Sequence, residues 1–260
     1  MILLLEICEI PLIFPKGKGA HPSMGSVFHG ALMELVGSDW ATVFHQKGIR
    51  PYSQAVFWDD REKRPFWRLG FLDESISSVL VPVLEKTKSL SLHHQGYDVG
   101  LGRIRCRSIS LDDEGAATGP VPIGAEIRFL TTTSFKRSGA FVLFPEPELL
   151  YQSILQRWPM IAGMPLEEGL HQVLGYYTMI QDYDLHTEHF GLEGHGVKGF
   201  AGSVTLRFGG SERVRQMAAL LLQCGTAAGF GIKTALGMGA SQVRLLTGRE
   251  EGHLKRRRGG

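Results

Sequence analysis

The stretch SVTLRFGGSERVRQMAALLL, residues 203–222, contains two kinds of hydrophobic pattern in succession. Val204, Leu206 and Phe208 alternate with polar residues, which predicts a strand with one buried face. Ser211 then stands at a helix N-cap position. The apolar residues that follow it at helical spacing are Val214, Met217, Ala218, Leu221 and Leu222. The stretch therefore predicts a strand followed by an amphipathic helix.

The first half of the chain shows similar elements in a regular order. Asp73 stands at the start of a helix, and Ile76, Leu80 and Leu84 form one apolar stripe along it. The other predicted elements are a strand at 2–10, a helix at 25–36, paired strands at 54–58 and 66–71, and at least one strand near 97–111. Their order is β-α-β-β-α-β, the ferredoxin-like signature.

The second half repeats this order. Residues 126–131 alternate as a strand, and Pro147 begins a helix that continues through Trp158. The strand and helix of residues 203–222 then complete the unit. We therefore predict an α+β protein with two tandem ferredoxin-like (RRM-like) β-α-β-β-α-β domains. Their expected bounds are 1–123 and 124–248, and the basic tail 249–260 is expected to be disordered.

The composition is that of a globular protein, with 43% hydrophobic and 21% charged residues. Glu6 and Glu9 interrupt the apolar N-terminus, so we expect neither a signal peptide nor a membrane span. The three cysteines form no CxxC pair, which predicts neither a disulfide framework nor a zinc site, and favours a reducing cytoplasm. A net charge of +2 means that any polyanionic partner must be held by a local patch.

The segment after the last helix has the sequence GFGIKTALGMG, residues 229–239. Its glycines permit positive φ, so the loop is able to turn backbone N–H groups toward a phosphate while Lys233 supplies charge. A dinucleotide fingerprint follows a strand rather than a helix, and a phosphate-binding P-loop needs Lys directly after Gly. The remaining alternative is a purely structural turn from helix to strand.

This glycine segment resembles the C-terminal loop of the CRISPR-associated endoribonucleases, a branch of the repeat-associated RAMP superfamily. Residues 199–202, 144–147 and 133–137 are similar to further family features in the same order. The resemblance implies an enzyme that binds a repeat in precursor CRISPR RNA. It also implies that Gly229, Gly231, Lys233, Gly237 and Gly239 contact RNA.

Metal-independent RNA cleavage has defined chemical needs. The ribose 2′-hydroxyl attacks the adjacent phosphate and leaves a 2′,3′-cyclic phosphate and a 5′-hydroxyl, which requires an acid, a base and a cation. Histidine, with a pKa of about 6.5, suits the first two roles.

The resemblance implies that His45, between the first helix and the second strand, is the catalytic acid or base. Arg50, or else Lys47, then holds the phosphate. His29, on the first helix, is the second candidate histidine, because Met33 occupies the place of a family tyrosine. For both histidines the alternative is a structural or solvated residue.

Other basic residues extend the predicted RNA surface. Lys136 and Arg137 lie in an expected hairpin where relatives contact the repeat, and Lys198 is expected just before a strand. Each alternatively is an ordinary solvated cation. His186, His189 and His195 lie in a stretch without cysteine, so we predict no metal and no cofactor.

Three function classes follow from these features. The first is a metal-independent endoribonuclease that matures CRISPR RNA. The second is a non-catalytic RAMP-type RNA-binding subunit of a CRISPR effector complex. The third, a nucleotide-binding metabolic enzyme, is disfavoured by the position of the loop after a helix. Effector-complex subunits are possible partners, no membrane is expected, and homodimerisation is left open.

Overall fold

The computed structural model describes residues 4–45, 50–111, 120–192 and 195–248, with the backbone alone for 38–45 and 195. The basic tail 249–260 lies outside the described residues. The helices and strands form two main antiparallel sheets and a separate hairpin. None of the helices within the described ranges is long and apolar enough to cross a membrane.

The first sheet contains six strands in the order β2-β3-β1-β5-β4, with β6 also paired to β1. β1 lies at the centre, because it pairs with β3 along one side and with β6 and then β5 along the other. The strands are β1 Leu4–Ile13, β2 Tyr52–Asp59, β3 Arg64–Phe71, β4 Ser89–Leu92, β5 Tyr97–Leu101 and β6 Arg105–Ser110. The predicted strand pair of β2 and β3 is confirmed.

Two helices accompany this sheet, α1 Gly25–His45 and α2 Glu74–Lys86. The Asp73 carboxylate accepts a hydrogen bond from the Ser75 N–H at 2.8 Å, which confirms the predicted helix start. Phe28 and Leu32 of α1 are buried beside Trp67. α1 consists of two helical segments separated by Gly37, whose φ of 76° is non-helical and readily adopted by glycine, so the first segment ends at Val36 as predicted.

The second sheet has the order β10-β11-β7-β12, which is the ferredoxin-like arrangement with the first strand of the unit inside. Its strands are β7 Gly124–Thr133, β10 Thr178–Leu192, β11 His195–Phe208 and β12 Ser241–Leu246. β8 Phe135–Arg137 and β9 Ala140–Val142 form the separate hairpin. The antiparallel sheets and their helices confirm the predicted α+β class.

Four helices belong to this half, α3 Pro147–Leu155, α4 Trp158–Ala162, α5 Leu170–Tyr176 and α6 Glu212–Ala228. The prediction of one helix from Pro147 through Trp158 is wrong, because α3 ends at Leu155 and α4 begins at Trp158. Pro159 lacks the N–H that would continue the hydrogen-bond ladder across this point. Ser211 caps α6 as predicted, since its hydroxyl accepts from the Val214 N–H.

The two sheets share a tight interface around the end of α6. The Ser53 hydroxyl donates to the Ala227 carbonyl at 2.5 Å, and the buried Arg68 guanidinium donates to the Ser241 carbonyl at 2.9 Å. Gly70 lies so close to Ala227 that an added Cβ would overlap its carbonyl group. The halves therefore pack as partners, while the predicted division into domains at residue 123 stays a prediction.

Cys8 and Cys106 form a disulfide, so the expectation of unpaired thiols is wrong for this pair. The two residues are direct neighbours across β1 and β6. Their separation of 98 residues in sequence conceals this proximity, which arises only when the strands pair. Cys224 is free and buried.

Candidate functional site

The glycine-rich loop, residues 229–239, connects α6 to β12 and is largely buried. Phe230 and Met238 have no exposed surface, and Lys233 alone is exposed within the loop, all of which the structure describes. Gly231 and Gly239 have φ values of 80° and 72°. An added Cβ would overlap the Ser134 carbonyl oxygen at Gly231 and the Phe230 carbonyl oxygen at Gly239. Glycine is therefore required for both conformation and packing.

Most backbone N–H groups of the loop are occupied by the protein itself. The N–H of Gly231 donates to the Ser153 hydroxyl at 2.8 Å, and that of Gly239 donates to the Thr132 carbonyl at 3.0 Å. The N–H of Gly229 donates to the Gly225 carbonyl. The expectation that these N–H groups face a phosphate is therefore wrong. The loop instead forms a fixed support for Lys233, which has left-handed backbone angles of φ 57° and ψ 32°.

Arg157, which the sequence analysis missed, lies beneath the loop. Its guanidinium donates to the Gly231 carbonyl at 2.8 Å, the Thr234 hydroxyl at 3.2 Å and the Ser153 carbonyl at 2.6 Å. Burial lowers the pKa of Arg157 to about 10, so it remains positively charged at neutral pH. The only available signal was its position next to Trp158, at a helix end where a solvated arginine is ordinary.

Gln54 of β2 connects the loop to the first sheet. Its amide nitrogen donates to the Gly25 carbonyl at 2.6 Å and to the Ala235 carbonyl at 3.0 Å. Its amide oxygen accepts from the Trp67 indole N–H at 2.9 Å. The first residue of α1, the strand β2 and the glycine-rich loop therefore meet at one buried side chain. This role could not be predicted from the sequence, because Gln54 lies within an otherwise ordinary strand pattern.

His29 lies on α1 and is 8% exposed. Its Nδ1 atom is 2.7 Å from the hydroxyl of the buried Tyr52. Burial raises the pKa of Tyr52, and the nearby positive charge of Arg50 lowers it by a smaller amount. His29 therefore corresponds to the structural alternative, a buried histidine bonded to a neighbour, and the catalytic role assigned to it stays a prediction. Arg50 is half-buried immediately before β2.

His45 is the last residue of the second helical segment of α1, so it lies between the first helical segment and β2, as predicted. The side chain of His45 and all of Lys47 lie outside the described residues. The two predicted histidines therefore lie on different helical segments of α1, one on each side of Gly37. The catalytic assignment of His45 stays a prediction.

The predicted cations outside the loop differ in their surroundings. Lys136 and Arg137 lie in the β8–β9 hairpin, both exposed, and Arg137 forms an ion pair with Glu146. The hydrogen bond that Arg137 donates to the Glu146 carboxylate raises the pKa of Arg137. The ammonium group of Lys136 lies 5.9 Å from the centre of the Phe141 ring. Lys198 is exposed within β11, so its predicted place before a strand is wrong.

The histidines considered for a metal do not group with other ligands in the described part of the chain. His186 instead lies 3.2 Å from the carboxylate of Glu188. Among the described residues, the side chains of Glu6, Cys8 and Cys106 have potential metal-binding atoms close to one another. The sulfur atoms of Cys8 and Cys106, however, are bonded to each other. A disulfide cannot supply the thiolates that a soft metal requires.

Comparisons with known proteins connect this geometry to a family. A family model described as CRISPR-associated endoribonuclease Cas6 matches residues 127–241, which include the whole glycine-rich loop. A CRISPR-associated endoribonuclease Cas6 from Streptococcus thermophilus is 27% identical over 243 residues, covering 89% of this chain and 97% of that protein. Its counterpart from Mycobacterium tuberculosis is 26% identical over 243 residues, covering 91% of this chain and 77% of that protein.

A solved structure adds an independent comparison. The product complex of a Thermus thermophilus Cas6 superposes with a TM-score of 0.73 at 20% identity, covering 92% of this chain and 100% of that chain. At this identity the likeness establishes a shared fold. The family model and the two sequence comparisons show that the chain is similar to the CRISPR-associated endoribonucleases, which confirms the resemblance predicted from its glycine-rich loop.

Proposed function

We propose that this chain is an endoribonuclease that binds a CRISPR repeat in precursor RNA and cuts it at one phosphodiester. The observation that carries the proposal is the construction of the glycine-rich loop. Gln54 bonds the loop to the first residue of α1, Arg157 bonds it from beneath, and Lys233 is exposed at its surface. A rigid loop with an exposed cation is suited to fix one phosphate of a bound RNA.

The chemistry we propose needs no metal ion. The 2′-hydroxyl attacks the adjacent phosphorus, its proton passes to a base, and an acid protonates the departing 5′-oxygen. The products are a 2′,3′-cyclic phosphate and a 5′-hydroxyl. We assign His45 as acid or base and Arg50 as the cation that stabilises the additional negative charge on the phosphate.

His29 contributes to this arrangement through Tyr52 rather than by direct proton transfer. The 2.7 Å contact between them joins α1 to the start of β2, two residues beyond Arg50. Because both side chains are buried, the contact fixes the first helical segment of α1 relative to the strand that follows Arg50. His29 is then a positioning residue, in place of the catalytic role proposed from the sequence.

The RNA track we propose contains Lys233, Lys136, Arg137 and Lys198, each of which is exposed. Arg137 differs from the others, because its pairing with Glu146 cancels its charge locally. The exposed lysines therefore supply more of the attraction for the phosphate backbone. The glycines of the loop contribute by adopting the positive φ angles that give the loop its conformation around Lys233.

The second candidate is a non-catalytic RNA-binding subunit of a CRISPR effector complex. One observation favours it, which is that His29 is buried and bonded to Tyr52. If His29 transfers no proton, the endoribonuclease proposed above has His45 as its assigned acid or base. If the unmodified protein binds the repeat RNA but does not cut it, the second candidate is supported and the first is contradicted.

Cleavage of a repeat RNA in EDTA tests the proposal directly. A CRISPR repeat from the source genome is incubated with the protein beside the same RNA carrying a single 2′-deoxy nucleotide upstream of the cut. We expect one cut in the unmodified RNA, with a cyclic phosphate on the upstream product, and binding without cutting of the deoxy RNA. His45→Ala is expected to bind and not cut, whereas a strict requirement for a divalent ion would overturn the mechanism.

A further inference from the structure

A small pocket of about 140 Å³ opens beside the glycine-rich loop, between β8, α3 and Ile232. Phe135 and Leu149 form its apolar walls and are 3% and 4% exposed. Gln152 and Gln156 supply the polar side of the pocket, and Lys136 also lines it. The cleavage chemistry does not use this pocket, and Lys136 is the lining residue that it shares with the proposed RNA track.

The two glutamines are arranged to act on one ligand. They are four residues apart at the end of α3, so their side chains project from the same face of the helical turn. Gln152 is half-buried and Gln156 is exposed. Within the residues that the structure describes, no side-chain hydrogen bond involves either amide, so the donors and acceptors of these two pocket-lining residues are available to an incoming group. The neighbouring Ser153 hydroxyl is engaged by Gly231 and Arg157.

We propose that this pocket binds one unpaired nucleobase of the RNA, with adenine as the best fit; the proposal rests on the proposed function above. A nucleobase has two apolar faces and a polar edge, which match the apolar walls and the paired amides. A glutamine amide offers one donor and one acceptor, the pattern that adenine presents through N6 and N7. Lys136 is placed at the same pocket to contact a phosphate of the bound nucleotide.

The pocket selects an unpaired base over a base-paired stem. A paired base presents little of its faces, and the deep major groove of an A-form helix is too narrow for side chains to enter. A base that is turned out of its stack exposes both a face and an edge. The pocket therefore identifies a single-stranded position of the repeat close to the phosphate that Lys233 contacts.

The test combines side-chain and nucleotide changes. Gln152→Leu and Gln156→Leu keep similar shape and remove the amides, and Gln172→Leu on the exposed surface of α5 is the matched control. Binding of each protein is measured on the intact repeat RNA and on a series of repeats with one abasic nucleotide each. We expect a roughly tenfold to hundredfold loss for the double pocket variant on intact RNA. One abasic position should weaken RNA binding by the unmodified protein to a similar extent. The same abasic position should not further weaken RNA binding by the double pocket variant.

The outcomes separate the pocket from the proposed function. If the unmodified protein binds and cuts the repeat but the pocket variants behave like Gln172→Leu, the pocket proposal is overturned and the proposed function stands. If the unmodified protein binds no repeat RNA, the proposed function falls, and the pocket is judged on adenine, cytosine, guanine and uracil tetranucleotides. Tighter binding of the adenine tetranucleotide that is lost in Gln152→Leu/Gln156→Leu supports the pocket, and equal binding by variant and unmodified protein overturns it.

Discussion

The guanidinium of Arg157 donates to the carbonyl oxygen of Gly231 over 2.8 Å and is enclosed by protein. The same group reaches Ser153 and Thr234, so one charge joins the end of α3 to two residues of the glycine-rich loop. A buried charge is costly unless its donors are satisfied, and here the Gly231 carbonyl, the Thr234 hydroxyl and the Ser153 carbonyl and hydroxyl accept from it. The charge and the loop conformation therefore depend on each other.

Replacing Arg157 with Met is expected to destabilise the protein by about 2–4 kcal/mol. The substitution leaves the Gly231 carbonyl and the Thr234 hydroxyl buried without this donor. Urea unfolding followed by circular dichroism measures the effect, with Arg213→Met on the exposed surface of α6 as the control. Equal stability of both variants would contradict the supporting role of Arg157.

Replacing Gly239 with Ala is expected to destabilise the protein by at least about 2 kcal/mol. The new Cβ would overlap the Phe230 carbonyl oxygen at a φ of 72°. Gly30→Ala is the matched control, because Gly30 is exposed within α1 and an added Cβ meets nothing within 4 Å. That control is expected to stabilise the helix by roughly 0.5–1 kcal/mol, so the two thermal midpoints should move in opposite directions.

The stability of the protein is expected to fall as the pH rises above about 10, the ordinary pKa of tyrosine. Burial raises the pKa of Tyr52, so the folded state keeps its proton where the unfolded state loses it. The unfolded state then binds fewer protons, and the free energy of unfolding declines with pH. Tyr52→Phe should flatten this decline, whereas Phe at the exposed Tyr176 should leave it unchanged. Identical pH profiles for both variants would exclude a contribution of Tyr52.

Lys136→Ala is expected to weaken binding of the repeat RNA and to reduce the magnitude of the salt slope by about 1. Lys88→Ala, a distant exposed lysine at the end of α2, should change neither quantity. Fluorescence anisotropy across a salt series provides both values. An unchanged slope for Lys136→Ala would show that this ammonium group contacts no phosphate.

Arg137→Ala is expected to weaken RNA binding chiefly because it exposes the negative charge of Glu146. The double variant Arg137→Ala/Glu146→Ala removes both charges of the ion pair and should bind nearly as well as the unmodified protein. The measurement is a double-mutant cycle on RNA affinity. A double variant as weak as Arg137→Ala would instead indicate that the guanidinium contacts the RNA directly.

Much of the fold was predictable because it depends on local patterns. The alternation in β11, the capped helix α6 and the Asp73 helix start each follow from residues close in sequence. The second helical segment of α1 was not predicted, because the non-helical Gly37 separates it from the apolar stripe that identifies the first segment.

The parts of the candidate site that follow from a local sequence motif were predictable. The parts that depend on contacts between residues far apart in sequence were not. The motif of the glycine-rich loop identified Lys233, yet it did not reveal that the loop uses most of its own N–H groups. Gln54 and Arg157 acquire their roles only when distant backbone carbonyls approach them. Cys8 and Cys106 likewise become neighbours only through the pairing of β1 and β6.

The position of Gln54 also constrains how such chains exchange parts during evolution. Its single amide bonds to carbonyl groups at Gly25 and Ala235, which lie on opposite sides of any crossover point between the halves. A recombinant that joins the first half of one relative to the second half of another inherits the Gly25 bond from one parent, but it keeps the Ala235 bond only if the other parent places that carbonyl within hydrogen-bond distance of Gln54. The hydrogen bonds of Gln54 therefore depend on both halves of the gene being inherited together.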